Sequence, residues 1–303
     1  MSKIVVIGSC NTDMVIKSDR LPIPGETVIG NTFMMNPGGK GANQAVAVAR
    51  MGGNVTFISK TGNDLFGRQS VELYNRENIR TEYVFSDPDH PSGVALVAVD
   101  ANGENSILVA PGANSALSVK DIEKARTAIE TADLLLMQLE IPIETVEYAA
   151  EIASRRGVKV ILNPAPAQFL SNALLQHVYI ITPNRTEAEI LSGIKVTNWE
   201  SAQAAADCIS EKGVDVVVIT LGSQGALIKD GKQYHQVGAE KVQAVDTTAA
   251  GDTFCSTLCV GLAEGMSIVE AVKLACKASA ITVTRMGAQT SIPYRREVLG
   301  VNN

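Results

Sequence analysis

The sequence predicts an α/β protein organised around a mostly parallel sheet with helices on both faces, and three observations carry that prediction. Hydrophobic residues make up 46% of the chain while only 4% is aromatic, so the interior must be largely aliphatic, as in strands buried between helical layers. From about residue 120, short apolar β-rich runs alternate with helical stretches, the rhythm of parallel strand pairing. Two further β-rich sections, about 13–36 and 91–110, stand outside that rhythm and predict a small separate sheet.

The elements follow in order. The run "KIVVIG" from Lys3 reads as a buried strand, and "DMVIKS" from Asp13 as an alternating one. Turns and a glycine cluster, "NPGGKGANQA", lead into a helix of small residues. The strand "GNVTFISKTG" precedes a helical stretch around "DLFGRQSVELYNREN". In "SGVALVAVDANGENSILVAPGAN" two strands flank Asn102-Gly103, a hairpin turn in which both residue types tolerate positive φ. Then "ADLLLMQLE", "GVKVILNPAP", "HVYIITPN" and "VDVVVITLG" alternate with helices of ten or more residues. These strands end at Glu140, Asn163, Asn184, and Thr220 with Gly222, and in open α/β sheets such ends converge on one ligand cleft. No linker or repeat divides residues 1–303, which predicts one domain.

Charge and cysteine content narrow the function. The 26 Lys and Arg stand against 32 Asp and Glu, a net charge of −6, with no long basic tract, which opposes a nucleic-acid partner. The first residues enter a strand without a secretory signal pattern, and no apolar run reaches a membrane span, so no membrane partner and a cytoplasmic location are expected. The five cysteines, with only His90, His177 and His235 as companions, read as reduced buried residues rather than a zinc site or disulfide framework.

The segment "DTTAAGDTF" bears on phosphate chemistry. A helix starting near Ala249, Ala250 and Gly251 presents unsatisfied N–H groups and the positive end of its dipole, while small side chains leave room for a phosphate oxygen. Asp252 beside that pocket is either an acid favoured by the helix start or the base that deprotonates an alcohol attacking a γ-phosphate. Asp246 is a structural acid or a cation ligand. Lys40 is followed by Gly41 and not by Ser or Thr, so the glycine cluster is not a Walker A loop. Its alternatives are a sugar-holding segment, with Lys40 and Asn43 as hydrogen-bonding groups, or a simple turn before a helix. Gly222 and Gly225 either allow close backbone approach to a nucleotide or belong to a common Ser-x-Gly turn. Asn184 and Glu187, three apart, either cap a helix or place oxygen ligands near hydrated Mg²⁺. The opening strand lacks G-x-G-x-x-G, which opposes a dinucleotide site.

Together, "GSCNTD", "NPGGKGANQA", "TPNRTEAE", "TLGSQG" and "DTTAAGDTF" resemble the ribokinase-like (PfkB) carbohydrate kinase family over essentially the whole chain. The resemblance implies a three-layer α/β/α sandwich with a small β-sheet lid at about 13–36 and 91–110, a homodimer contact through that lid, and ATP-dependent phosphorylation of ribose at its 5-hydroxyl. By the same resemblance Asp252 is the general base, and the backbone of Ala249, Ala250 and Gly251 forms an anion hole. Asn11, Asp13, Gly39, Lys40, Asn43 and Glu140 would hold the sugar. Asn184, Thr220, Gly222, Ser223, Gly225 and Gly251 would hold ATP, with Cys276 near adenine where a polar residue is common. Glu187 would organise Mg²⁺, and Asp246, Thr248, Thr282, Arg285, Gly287 and Ser291 match a K⁺ site. A deoxyribose, fructose or nucleoside kinase, or a sugar-binding protein without catalysis, remain the alternatives.

Overall fold

The computed structural model describes residues 2–300. Along the chain, β1 (Lys3–Ile7), β2 (Asn11–Lys17) and β3 (Thr32–Gly38) precede α1 (Lys40–Arg50), β4 (Asn54–Gly62), α2 (Leu65–Arg76) and β5 (Arg80–Asp87). The strands β6 (Gly93–Val99) and β7 (Asn105–Ala110) lead to α3 (Val119–Lys124), α4 (Arg126–Glu130), β8 (Leu134–Met137), α5 (Ile143–Ser154) and β9 (Lys159–Leu162). Next come α6 (Asn172–Leu175), β10 (Ile180–Ile181), α7 (Arg185–Ser192), α8 (Trp199–Ser210), β11 (Val216–Thr220), β12 (Ala226–Asp230) and β13 (Gln233–Val237). The helices α9 (Ala250–Ala263), α10 (Ile268–Thr282) and α11 (Arg295–Val298) close the chain.

Among the described residues nine strands form the main sheet, in the order β13-β12-β11-β10-β9-β8-β1-β4-β5. Pairing is parallel from β11 through β5, and only the β11–β12–β13 edge is antiparallel. Period-two geometry splits each central strand between two cores. Val5, Ile7, Leu135 and Met137 face the layer of α3 to α8, whereas Ile4, Val6, Leu134 and Leu136 face α1, α2, α9 and α10. Each such side chain contributes roughly 1.5–3 kcal/mol by leaving water, so the aliphatic runs fix the sheet. The mostly parallel sheet with helices on both faces agrees with the sequence expectation.

Several expectations need correction. The edge hairpin β12–β13 was not anticipated; its two-residue turn is Gly231-Lys232. The helical stretch between β9 and β10 is a single turn, α6, and β10 has two residues where a longer strand was read. At the β6–β7 hairpin only Gly103 adopts positive φ; Asn102 does not. The turn is held instead by Asp100, whose Oδ1 accepts from the N–H groups of Asn102 and Glu104.

The second sheet has the order β3-β2-β6-β7, with β2 and β6 parallel and both outer pairs antiparallel. It grows from the main sheet at its functional end: β2 begins four residues after β1 ends, and β3 ends two residues before α1 begins. The root of β6 is fastened by Asp64, which accepts from Ser92 N–H (2.7 Å) and Ser92 O–H (2.7 Å) while also capping α2 through Gly67 N–H.

Candidate active site

The carboxyl ends of the parallel strands meet the amino ends of α1, α7 and α9, and Asp252 lies among them, 6% exposed. Two neighbours in α1 clamp its carboxylate: Asn43 Nδ2 donates to Oδ2 and Gln44 Nε2 to Oδ1, each at 3.0 Å. Burial pushes the Asp252 carboxyl above the usual aspartate range, opposed by the Lys40 ammonium and by the Asn43 and Gln44 donors. The Asn43 Oδ1 atom is buried and accepts nothing from the described residues, which fits a ligand hydroxyl.

The start of α9 is unusual. Several helices begin at a capping side chain, as Asn198 caps α8 and Ser267 caps α10. At α9 the preceding residue is Ala249, with φ 60° and ψ 6°, which offers no cap. Thr253 N–H makes the first helical bond, to Ala249 C=O at 2.8 Å, so among the described residues Gly251 N–H and Asp252 N–H donate to no acceptor. The Ala250 N–H, expected to be free, donates to Thr247 C=O at 3.3 Å, because Thr247–Ala250 closes a tight turn. Ala249 N–H likewise donates to no acceptor among the described residues, so the available donors are those of Ala249, Gly251 and Asp252. Among the described residues Ala249 is one of two non-glycine residues with positive φ, a conformation costing alanine roughly 1 kcal/mol. The released strain exceeds the chain-entropy cost of glycine only slightly, so Ala249→Gly is expected to raise stability by at most about 0.5 kcal/mol in urea unfolding; a clearly lower midpoint would mean that the strain is absent.

Facing this helix start are the segments after β1 and β3. Glu140, at the end of β8, accepts from Ser9 O–H (2.6 Å) and Lys40 N–H (3.0 Å) and lies 3.8 Å from Lys40 Nζ. The Lys40 pKa is raised: burial pulls it down, but the carboxylates of Asp252, Glu140 and Glu187 outweigh that. Asn11 is buried, and its Oδ1 accepts from Asn114 Nδ2 at 2.7 Å. Asn114 also bonds the N–H and C=O of Cys10, so it fixes the strand root that carries Asn11. Nothing in the sequence singled it out, because its partners lie about a hundred residues away. Asp13 is pushed up to about 6 by burial and by Glu140, with Lys40 opposing. An exposed aspartate titrates near 4, so between those values the fold binds this proton more tightly than the unfolded chain. Asp13 therefore adds stability as pH falls through that window, while the carboxylate able to hold a sugar hydroxyl disappears. Binding of a sugar to the nucleotide-free protein is expected to weaken below about pH 6, and Asp13→Asn to remove that dependence in calorimetry.

The opposite flank is built by α7 and the loop after β11. Asn184 and Glu187 form a reciprocal cap: Asn184 Oδ1 accepts from Glu187 N–H (2.9 Å), and Glu187 Oε2 accepts from Asn184 N–H (2.8 Å). Glu187 Oε1 has no part in that cap, so the capping and cation-organising readings are compatible. Burial raises the Glu187 carboxyl. Thr220 pairs with Asn184 in a bridge and donates its N–H to Pro183 C=O. Gly222 and Ser223 lie in an exposed turn after it, tied to α7 through Arg185, which donates to Gln224 Oε1. Gly225 has a structural reason instead: at φ +92° a Cβ would lie 1.9 Å from Val237 C=O. Cys276, in α10, is buried, and burial pushes its thiol up to about 11, as it pushes Cys10 to about 11 and Cys255 to about 12. All five cysteines are free.

The proposed cation residues are brought together only in part. Asp246 Oδ1 accepts from Thr248 N–H (2.9 Å) and O–H (2.7 Å), and Oδ2 from Gly287 N–H (2.8 Å), which joins the two loops beside α9. These donors hold the Asp246 carboxyl below the usual range against the effect of burial. Thr282 turns its hydroxyl into the α9–α10 contact, within 3.1 Å of Thr253 Oγ1. Arg285 pairs with Glu297 (2.5 Å), and Ser291 bonds Ala288 C=O in its own turn, so their side chains are engaged elsewhere. Among the described residues no three His, Cys, Asp or Glu side chains form a metal cluster.

The pattern common to pfkB family carbohydrate kinases matches residues 1–295. The chain belongs to this PfkB family. A ribokinase of Haemophilus influenzae is 46% identical to this PfkB chain over 296 residues, 98% of this chain and 97% of that one. A deoxyribokinase of Salmonella typhi is 38% identical over 291 residues, 96% and 95% of the two chains. The structure of Arabidopsis thaliana ribokinase complexed with ribose and ATP superposes with a TM-score of 0.91 at 34% identity, covering 99% of this PfkB chain and 98% of the other. No described helix is long and apolar enough to cross a membrane.

Proposed function

We propose that this chain transfers the γ-phosphoryl group of ATP to the 5-hydroxyl of D-ribose, giving D-ribose 5-phosphate and ADP. The observation that carries the reading is the pairing, at the start of α9, of a clamped, buried carboxylate with free backbone N–H groups. The hydroxyl oxygen attacks the γ-phosphorus as its proton passes to Asp252, and the bond to the β-phosphate oxygen breaks to release ADP. The N–H groups of Gly251 and Asp252, at the positive end of α9, stabilise charge on the transferring phosphoryl. Asn11, Asp13, Gly39, Lys40, Asn43 and Glu140 hold the sugar; the buried free acceptor on Asn43 favours this assignment. Asn184, Thr220, the Gly222–Gly225 loop and the wall at Cys276 hold the nucleotide, which we place in the cytoplasm, where ATP is supplied.

When bound, Mg²⁺ neutralises the phosphates, and K⁺ supports the backbone beside the anion hole. The free Glu187 Oε1 suits water of hydrated Mg²⁺. The loop of Asp246, Thr248 and Gly287 suits K⁺ held mainly by carbonyls, with Thr282, Arg285 and Ser291 contributing backbone. The test is ADP release with ATP and Mg²⁺ on ribose, 2-deoxyribose and fructose, in K⁺ and in Na⁺. Ribose 5-phosphate formation stimulated by K⁺ is expected; preference for another acceptor would overturn the substrate assignment.

Assembly as a homodimer through the small sheet belongs to the same proposal. Asp13 faces the site, so Met14 and Ile16 lie on the sheet's outer face, where register aligns them with Met35, Leu96, Leu108 and Phe33. That face is apolar, and Leu108 is 72% exposed. A second copy would cover it. Leu108→Lys is expected to shift the protein toward monomer in sedimentation; an unchanged mass would rule this surface out.

A further inference from the structure

Asn43 and Gln44 are adjacent in α1, yet their amides do different work at Asp252. Asn43 keeps a free acceptor on the ligand side. Gln44 is wholly buried and turned away from it: one Nε2 hydrogen goes to Asp252 Oδ1 (3.0 Å), the other to Asn163 Oδ1 (3.1 Å), and its Oε1 accepts from Gln138 Nε2 (2.5 Å). Every hydrogen-bonding group of that amide facing the network is used. A flipped Gln44 would set its oxygen against the acceptor-only carboxylate of Asp252 and against Asn163 Oδ1, so these two acceptors select the productive orientation, and Gln138, whose own Oε1 is buried without a partner among the described residues, adds a donor to the Gln44 oxygen. Asn163 is itself held by donation to Thr182 C=O (3.3 Å), and the backbone of Gln44 is tied to α9 by Ser256 O–H (2.9 Å). The relay crosses from the ends of β8 and β9 through α1 to α9, four separate segments of the chain.

Carboxamides do not titrate, so the relay delivers a fixed N–H dipole to Asp252 and cannot take its proton. We propose that Gln44, oriented by Gln138 and Asn163, is a positioning residue that fixes the plane of the Asp252 carboxylate and keeps it in the proton-accepting form. This rests on Asp252 being the base. The charged groups sensed at Asp252 are Lys40, which favours the carboxylate, and Glu140, which opposes it; Asp252 in turn couples to Glu187 and to the Cys255 thiol, which stays neutral. None of these replaces the Gln44 donor: a neutral hydrogen bond aimed at Oδ1 is lost outright when Gln44 is replaced by an apolar side chain.

The experiment measures kcat against pH at saturating sugar and MgATP, so that Asp13 of the free enzyme does not contribute. The parent, Gln44→Leu, Gln138→Leu and Asp252→Asn are compared, with sugar affinity measured by calorimetry without nucleotide. For Gln44→Leu the acid limb is expected to move up by about one pH unit or more, with the sugar Kd within about threefold of the parent. Gln138→Leu, which only frees the orientation of Gln44, is expected to move the limb in the same direction by less. An unmoved limb in both variants, or a loss of sugar affinity that matches the loss of kcat, overturns the inference. Should Gln44→Leu not fold, as judged by circular dichroism, Gln138→Leu decides alone. Persistence of turnover in Asp252→Asn would instead remove the base assignment on which the inference stands, so the two failures are distinguishable.

Discussion

Asp252→Asn is expected to lower kcat by about 10²–10⁴-fold, the usual contribution of a positioned general base, while leaving the fold and sugar affinity nearly intact. The variant keeps shape and loses the basic oxygen. Because burial disfavours the native carboxylate, its removal relieves a desolvation cost that offsets the hydrogen bond lost where the new NH2 group meets one of the two donors, Asn43 or Gln44, and the weakening of the other. The midpoint of thermal unfolding should therefore change by only a few degrees. Steady-state phosphoryl transfer with calorimetric sugar binding checks both halves. A kcat within tenfold of the parent would show that the proton leaves by another route, and the function proposed above would lose its base.

Gly39→Ala is expected to have the largest structural effect, about 3 kcal/mol or more of lost stability together with loss of sugar binding. The residue has φ 87° and ψ 131°, a region nearly closed to side chains. A Cβ there would lie 2.7 Å from Asn11 N and 2.8 Å from Cys10 Cα, and these are backbone atoms with no rotamer to yield. The clash would push apart the start of α1 and the root of β2, which carry Lys40, Asn43 and Asn11. Urea unfolding and sugar titration measure the two consequences. A variant with the parental midpoint would mean that this corner is softer than the geometry implies.

The legible part of the fold was the part written in local pattern. Aliphatic runs such as "ADLLLMQLE" announce buried strands because both faces of a central parallel strand are apolar, and small residues around Gly251 announce a helix start that can meet an anion. The hairpin β12–β13 has a weak local signature: Gly231 marks its Gly231-Lys232 turn, but β13 carries polar residues at Gln233, His235 and Gln236 and does not read as a buried strand. Structure gives Gly225 a packing reason through Val237. In the site, Asn163 was visible as a polar strand end, but its use was not. Gln138 and Asn114 stand in no motif, and Gln44, although inside "NPGGKGANQA", shows no role from local pattern because its partner Gln138, like the partners of Asn114, lies about a hundred residues away. Ala250 illustrates the limit of reading a helix start from composition: one turn bond decides which N–H groups are free.

The small sheet shares its strands with the site. Asn11 and Asp13 open β2, and β3 runs straight into Gly38 and Gly39, so the strands presenting an apolar face outward also carry, on the inside, residues proposed above to hold the sugar. Under the proposed assembly, acceptor affinity and self-association become a linked pair of equilibria: whatever steadies the ladder from outside steadies the binding residues within. Protein concentration then enters sugar binding as a variable, and the apparent dissociation constant rises on dilution. Trimming away the small sheet would not leave an uncovered but working kinase, because the cut would pass through the acceptor site itself.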